Sequence, residues 1–232
     1  VKKRIILLAT SRKYGKYCVA GLDVGTGKLI RLITNDSGSH YAIDASQMTY
    51  PDGSLAQKLD LIEAELTDRS ISYFQNENYI IRSSSKWQKL GTASLPEVLA
   101  KYNPLPCEHV FYDSTRRICK EKFANIPPEA ICSLLLIRVE QAELVIQEGF
   151  GRRQAMISFT YNGQRYPALP VTDLEFMEQT ADLEMGSRPM AGDPYLLCSV
   201  GECFEQDKCH YKIIASVFET QPSTEIWKNG QD

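Results

Sequence analysis

The chain reads as a mainly β protein, two small β-barrels in tandem joined by a short helical connector. Three observations lead there. Its apolar runs are strand-sized, as at residues 5–9 and 134–137. Gly- and Asn-bearing turn text separates those runs at short intervals. Pro127-Pro128 interrupts the pattern between two β blocks of different charge. A chain of 232 residues, 43% hydrophobic and 9% aromatic, buries cores of this kind without disulfide staples.

In the first block, strands are expected over residues 3–9, 17–24 and 29–34. Gly25-Thr26-Gly27 supplies the hairpin between the last two, because such turns need residues that accept positive φ. Residues 59–66 alternate in part and suit a strand, and 79–82 is a shorter one. Ser94 then looks like an N-cap, with Pro96 and Glu97 in the first turn of a short helix that Asn103-Pro104 ends. Residues 113–125 read as a second helix, with Ile118, Cys119 and Phe123 on one side and Pro127-Pro128 as its stop. Six strands follow, over 132–139, 142–147, 153–161, 166–171, 195–200 and 212–217. Asn162-Gly163 is a strong hairpin signal between two of them. Residues 186–194 are turn-rich and read as a loop, and the text after Thr220 reads as a fraying tail. The expected organisation is a barrel over 1–112, a connector over 113–130, a barrel over 131–220 and a flexible tail over 221–232.

Charge is unevenly spread. Residues 1–31 carry eight Lys or Arg against one carboxylate, in a chain of formal net charge −3. Residues 131–232 carry eight against fifteen. A basic end on an acidic protein points to a phosphate-rich ligand. No apolar run approaches the about 18 residues of a membrane helix, so no membrane partner is expected. The seven cysteines are odd in number and sit mostly in apolar strand text. That favours a reducing, cytoplasmic setting over a disulfide framework.

The block SRKYGKYCVAGLDVGTGKLIRLI resembles the opening of a bacterial family of dual-OB-domain proteins. A Ser and a basic residue precede a Cys-hydrophobic-Ala-Gly strand, and a Gly-Lys hairpin leads to an Ile-Arg strand. LDLIEAEL, QNENYII, SLLLIRVEQAEL, FTYNGQRYPALPVTDLEF, CSVGECFE and HYKIIASV follow in the family's order, so the resemblance spans residues 4–217. It implies two tandem OB-like barrels, nucleic-acid binding, and a link to bacterial conflict and defence systems.

Several side-chain groups carry chemistry. Ser11, Arg12, Lys13, Lys16, Lys28 and Arg31 interleave with Tyr14 and Tyr17. Cations that track phosphates beside aromatics that stack bases make a single-strand groove, and OB barrels bind through the strand 1–2 loop and the face of strands 2–3. The alternative is a solvated basic turn. In Gln75-Asn76-Glu77-Asn78-Tyr79, Asn78 has the donors and acceptors to read a base edge and Tyr79 the ring to stack. A loop closed by its own amide hydrogen bonds is the competing reading. Asp173 reads first as an N-cap and second as a ligand contact.

Signals for other chemistry fail. Cys198, Cys203, Cys209 and His210 lack the paired spacing of a zinc site. Gly25-Thr26-Gly27-Lys28 resembles the end of a phosphate-binding loop but has no following Ser or Thr. There is no G-x-S-x-G elbow, and Cys18 lies in buried strand text. No catalytic residue, cofactor or metal is therefore expected. The function expected is single-stranded nucleic-acid binding. A module docking an acidic protein partner and an enzyme acting on a nucleotide or nucleic acid remain the alternatives.

Overall fold

Ile5, Ile6, Leu7, Leu8 and Ala9 are consecutive and all buried, which a strand achieves only when both its faces are covered. The computed structural model describes residues 1–232 apart from 14, 105–106, 150, 222, 224–226 and 228–232, with the backbone alone at Lys13. It places the apolar run in β1 (Lys2–Lys13). The chain divides into two units, Val1–Leu105 and Pro106–Asp232, and each is described by itself.

In the first unit β1 is followed by β2 (Lys16–Asp23), β3 (Lys28–Ile33), α1 (Ala45–Met48), β4 (Asp60–Arg69), β5 (Asn78–Ile81), β6 (Gln88–Thr92) and α2 (Leu95–Lys101). The strands neighbour one another as β1-β2-β3-β5-β4, and β4 returns to pair with β1, which closes a five-strand barrel. Among the described strands of this unit only β3 and β5 run parallel. A register shift between Leu7 and Ala9 bends β1. Its first half pairs with β4 through Lys2–Ile6, and its second half continues along β2. β6 extends the sheet beyond β4. At Gly21 a Cβ would come within 2.6 Å of the Ile6 carbonyl oxygen, so only glycine lets β2 pass this close to β1. Ser94 caps α2 in a capping box, with the Glu97 carboxylate accepting from the Ser94 backbone N–H at 2.7 Å.

The second unit holds β7 (Arg117–Cys119), α3 (Lys120–Phe123), β8 (Leu134–Arg138), β9 (Glu140–Gly149), β10 (Arg152–Tyr161), β11 (Gln164–Pro170), α4 (Leu174–Gln179), β12 (Gly186–Pro189), β13 (Tyr195–Phe204) and β14 (Cys209–Phe218). Its two sheets run β11-β10-β9-β12 and β7-β14-β13-β8. β8 and β9 are separated by Val139 alone, and the first pairs with β13 while the second pairs with β10. Together they do what bent β1 does in the first unit. A parallel bridge from Val171 to Ile214 links the end of β11 to β14, in the place of the β3–β5 pair. The strand plan of the first barrel thus recurs. The β10–β11 hairpin turns on Asn162 and Gly163 at φ +49° and +73°, the two positive values the Asn-Gly text requires.

The mainly β class and the tandem OB-like barrels are those expected from the sequence. Three local expectations are corrected. Residues 113–125 are not one helix. Ile118 is fully buried between exposed Arg117 and Cys119, a two-residue period that pairs β7 with β14, and α3 is only four residues long. The stretch expected as a connector therefore contributes a strand to the second unit. Within the expected loop 186–194, β12 pairs with β9. In the expected tail, the described residues Ser223 and Trp227 are buried, and the Trp227 indole N–H donates to the Pro189 carbonyl at 2.7 Å.

Candidate functional site

The basic residues of the first unit separate into two groups once the strands are paired. At the β1–β2 turn, Arg12 pairs with Tyr17 and Lys13 with Lys16. Arg12 is exposed, and its guanidinium carbon lies 5.4 Å from the centre of the Tyr17 ring. Tyr17 itself is buried, with its backbone bonded in both directions to Ile43 at 2.8 Å. The Lys16 ammonium pairs with Asp44 at 3.0 Å. Ser11 is buried. Tyr14 and the side chain of Lys13 lie outside the described residues.

Lys28 belongs elsewhere. It pairs with Asp23, seven positions along β2 from Lys16, which is roughly 23 Å of extended strand. Arg31 lies within the wall of the barrel at 8% exposure. It pairs with Asn78 in the parallel β3–β5 ladder and donates to the Asn78 side-chain oxygen at 3.1 Å. Asn78 is also buried, and its amide donates to the Gln75 side chain at 3.1 Å. The polar ends of Gln75, Asn78 and Arg31 therefore close the β4–β5 loop against β3. β3 is buried without alternation from Leu29 to Ile33, so the exposed groups lie at the loops flanking the β2–β3 face.

Tyr79 is half-buried and has two cations close to its ring. The Lys3 ammonium is 5.3 Å and the Arg69 guanidinium 5.6 Å from its ring centre. Arg69 also donates to the Asn76 carbonyl across the base of the loop, at 2.5 Å. The same loop exposes Ile71 (67%) and Tyr73 (43%), with Tyr73 and Phe74 ring centres 5.0 Å apart. Sequence reasoning missed Lys3, Arg69, Ile71, Tyr73 and Phe74. The available signal was two adjacent aromatics, Tyr73-Phe74, in text too rich in Ser and Asn to be a strand.

Much of the N-terminal basic excess is answered inside the fold. Lys2 pairs with Glu63 at 2.9 Å, Lys3 with Asp23 at 2.5 Å and Lys16 with Asp44. Glu63 and Asp44 come from other segments, while Asp23 is the one carboxylate of the N-terminal segment itself.

The groups weighed for other chemistry have structural surroundings. Cys198 is wholly buried, and burial pushes its thiol up to about 12. His210 is buried with Nδ1 2.8 Å from the Gly201 carbonyl, and burial lowers its pKa. Asp173 caps α4, accepting from the Phe176 N–H at 3.4 Å, while its other oxygen accepts from the Val217 N–H at 2.9 Å and the Ser216 hydroxyl at 3.1 Å. Among the described residues no group of three or more His, Cys, Asp or Glu is arranged to hold a metal ion, and no helix is long and apolar enough to cross a membrane.

A family model described as a dual OB-containing domain matches residues 3–217. No curated protein and no solved structure matches the chain.

Proposed function

The chain belongs to the family of dual OB-containing domains, and from that premise we propose that its first unit binds single-stranded nucleic acid. OB barrels take oligonucleotides on the face of strands 2 and 3 and through the loops between strands 1 and 2 and strands 4 and 5. The observation that carries the reading is the Tyr79 ring beside the β4–β5 loop, with the Lys3 and Arg69 cations 5.3 and 5.6 Å from its centre and Tyr73 exposed in that loop. Rings for bases beside cations for phosphates are the parts of a sequence-tolerant single-strand site. At the β1–β2 turn Arg12 supplies a further phosphate contact, and phosphate competes with Asp44 for the Lys16 ammonium. The module works without catalysis of its own. Its setting in a bacterial defence system is supported by the family resemblance alone. Exposed Ile71 favours a second reading, in which the same loop docks on a protein partner.

Anisotropy titrations of labelled single-stranded DNA and RNA over a salt series test the proposal. Arg12→Ala with Lys16→Ala removes two cations of the turn while leaving buried Arg31 in place. The double variant should weaken binding and flatten the slope of log affinity against log salt by about 1.4, at ~0.7 per phosphate contact. An equal loss from Arg152→Ala with Arg153→Ala in the second unit, or no binding by the intact chain at low salt, rejects the proposal in favour of the protein-docking reading.

A further inference from the structure

Cys119 and Cys209 sit directly opposite each other on β7 and β14, in a register that continues through Ile118 with His210 and Arg117 with Tyr211. The Lys120 N–H donates to the Lys208 carbonyl at 3.0 Å, and the Lys212 N–H donates to the Arg116 carbonyl at 2.9 Å. Those bonds mark 120/208 and 116/212 as hydrogen-bonded positions, so by alternation 119/209 is a non-hydrogen-bonded pair. Such pairs hold their Cα atoms about 4.5 Å apart, within the roughly 4.4–6.8 Å that a disulfide spans. The two sulfurs are already 3.1 Å apart. Cys119 is exposed and Cys209 buried.

We propose that Cys119 and Cys209 form a redox-active dithiol, oxidised to a cross-strand disulfide by low-molecular-weight disulfides. The exposed Cys119 thiolate attacks one sulfur of the small disulfide. A Cys119–sulfur bond forms, the small disulfide's S–S bond breaks, and one thiolate leaves and takes up a proton. The Cys209 thiolate then attacks Cys119 Sγ, and the second small thiolate leaves and is protonated. The two protein thiols give up two electrons, and the small disulfide ends as two thiols.

The order follows from the environments. Cys209 is held up at about 11, first by its hydrogen bond with Cys119 and then by burial, and it is out of reach of an outside reagent. Once Cys119 carries the small thiol, the hydrogen bond that most restrains Cys209 is gone. The attacker and the resolver are thus distinct. β7 is a three-residue strand whose only pairing among the described strands is with β14, so the disulfide converts its attachment from a short ladder into a covalent link. This inference concerns the second unit and stands apart from the nucleic-acid reading.

The test equilibrates the native chain with mixtures of reduced and oxidised glutathione, quenches with acid, alkylates the free thiols and maps the peptides. Two of the seven thiols should become protected together, in one linked peptide containing Cys119 and Cys209. Cys209→Ser should instead accumulate glutathione on Cys119, and Cys119→Ser should leave Cys209 free. Phenylarsine oxide, which bridges two adjacent thiols, should add once to the reduced native chain and link the same two residues, a reading that needs no variant. Oxidation of a different pair first, a glutathione adduct on Cys119 that Cys209 never displaces, or reaction only after denaturation would overturn the proposal.

Discussion

Asp113→Asn is the sharpest test of what holds the second unit together. The Lys212 ammonium is fully buried, at 0% side-chain exposure. It donates to Asp113 Oδ1 at 2.8 Å and to the Asp113 carbonyl at 2.6 Å, and lies 6.0 Å from the Tyr166 ring centre. The other Asp113 oxygen takes Lys122 at 2.6 Å. Removing the carboxylate charge leaves a buried ammonium without its counter-ion, a change that costs about 3–5 kcal/mol. The backbone carbonyl still accepts in the variant, so the lower end, about 3 kcal/mol, is expected. For a unit of this size that is about 12 °C in Tm, at roughly 4 °C per kcal/mol. Lys212→Met should cost less than half as much, because it removes the buried charge with its cavity filled. In that background Asp113→Asn should cost about 1 kcal/mol or less, leaving a coupling of at least about 2 kcal/mol in a denaturant double-mutant cycle. A cost below about 1 kcal/mol for Asp113→Asn alone, or the same cost in both backgrounds, would refute this account. pH separates the partners further. Burial pushes the Asp113 carboxyl up, but hydrogen bonds from Lys122, Lys212 and Thr115 outweigh it and hold the group well below the carboxylate range. The unfolded chain therefore binds the proton first. The stabilisation is complete above the unfolded value near ~3.9 and is lost as pH falls through it toward the lower folded value. Burial lowers Lys212, with Asp113 opposing. The unfolded chain then holds more protons in the alkaline range, so this group's contribution rises with pH there. Asp113→Asn should flatten the acid arm of the stability curve, and Lys212→Met should remove the alkaline rise.

Two further outcomes test the turns and caps. Gly27 has φ +67°, and a Cβ there would clash with the Lys101 carbonyl oxygen, so Gly27→Ala should cost at least about 1 kcal/mol from the left-handed backbone alone; an unchanged urea midpoint would contradict that. Asp173→Ala strips acceptors from the Phe176 N–H, the Val217 N–H and the Ser216 hydroxyl. It should cost about 2–4 kcal/mol, with Asp173→Asn retaining part of the loss, and equal midpoints for Ala and Asn would argue against a hydrogen-bonding role.

The parts of the fold legible in the sequence are those set by local chemistry. Asn162-Gly163, the Ser94 capping box and the Asp173 cap each depend on residues within a few positions, and each occurs where the text places it. The misread elements depend on partners distant in sequence. β7 has three residues, and what makes it a strand is β14, about 90 positions later. Its text offers Cys119 and Phe123 four residues apart, a spacing that suits one face of a helix as well as one face of a strand. β12 is an edge strand whose burial is slight, so its apolar pattern is faint. Trp227 is held by Pro189 and packs edge-on against Phe176, which no local reading of the C-terminal text anticipates.

The same distinction governs the candidate site. A count of eight cations against one carboxylate in residues 1–31 treats charge as a property of a segment, whereas a field belongs to a surface. Glu63 and Asp44 reach back to Lys2 and Lys16 from segments that the count leaves out, and Arg31 is drawn into the barrel wall by Asn78. Pairing then sets Lys28 and the β1–β2 turn at opposite ends of β2. The candidate contacts that remain on the proposed function fall into two groups, Arg12 at the β1–β2 turn and Arg69 with the Tyr79 ring beside the β4–β5 loop. Under that proposal an extended, sequence-tolerant strand would engage both groups, whereas a mononucleotide would engage only one of them.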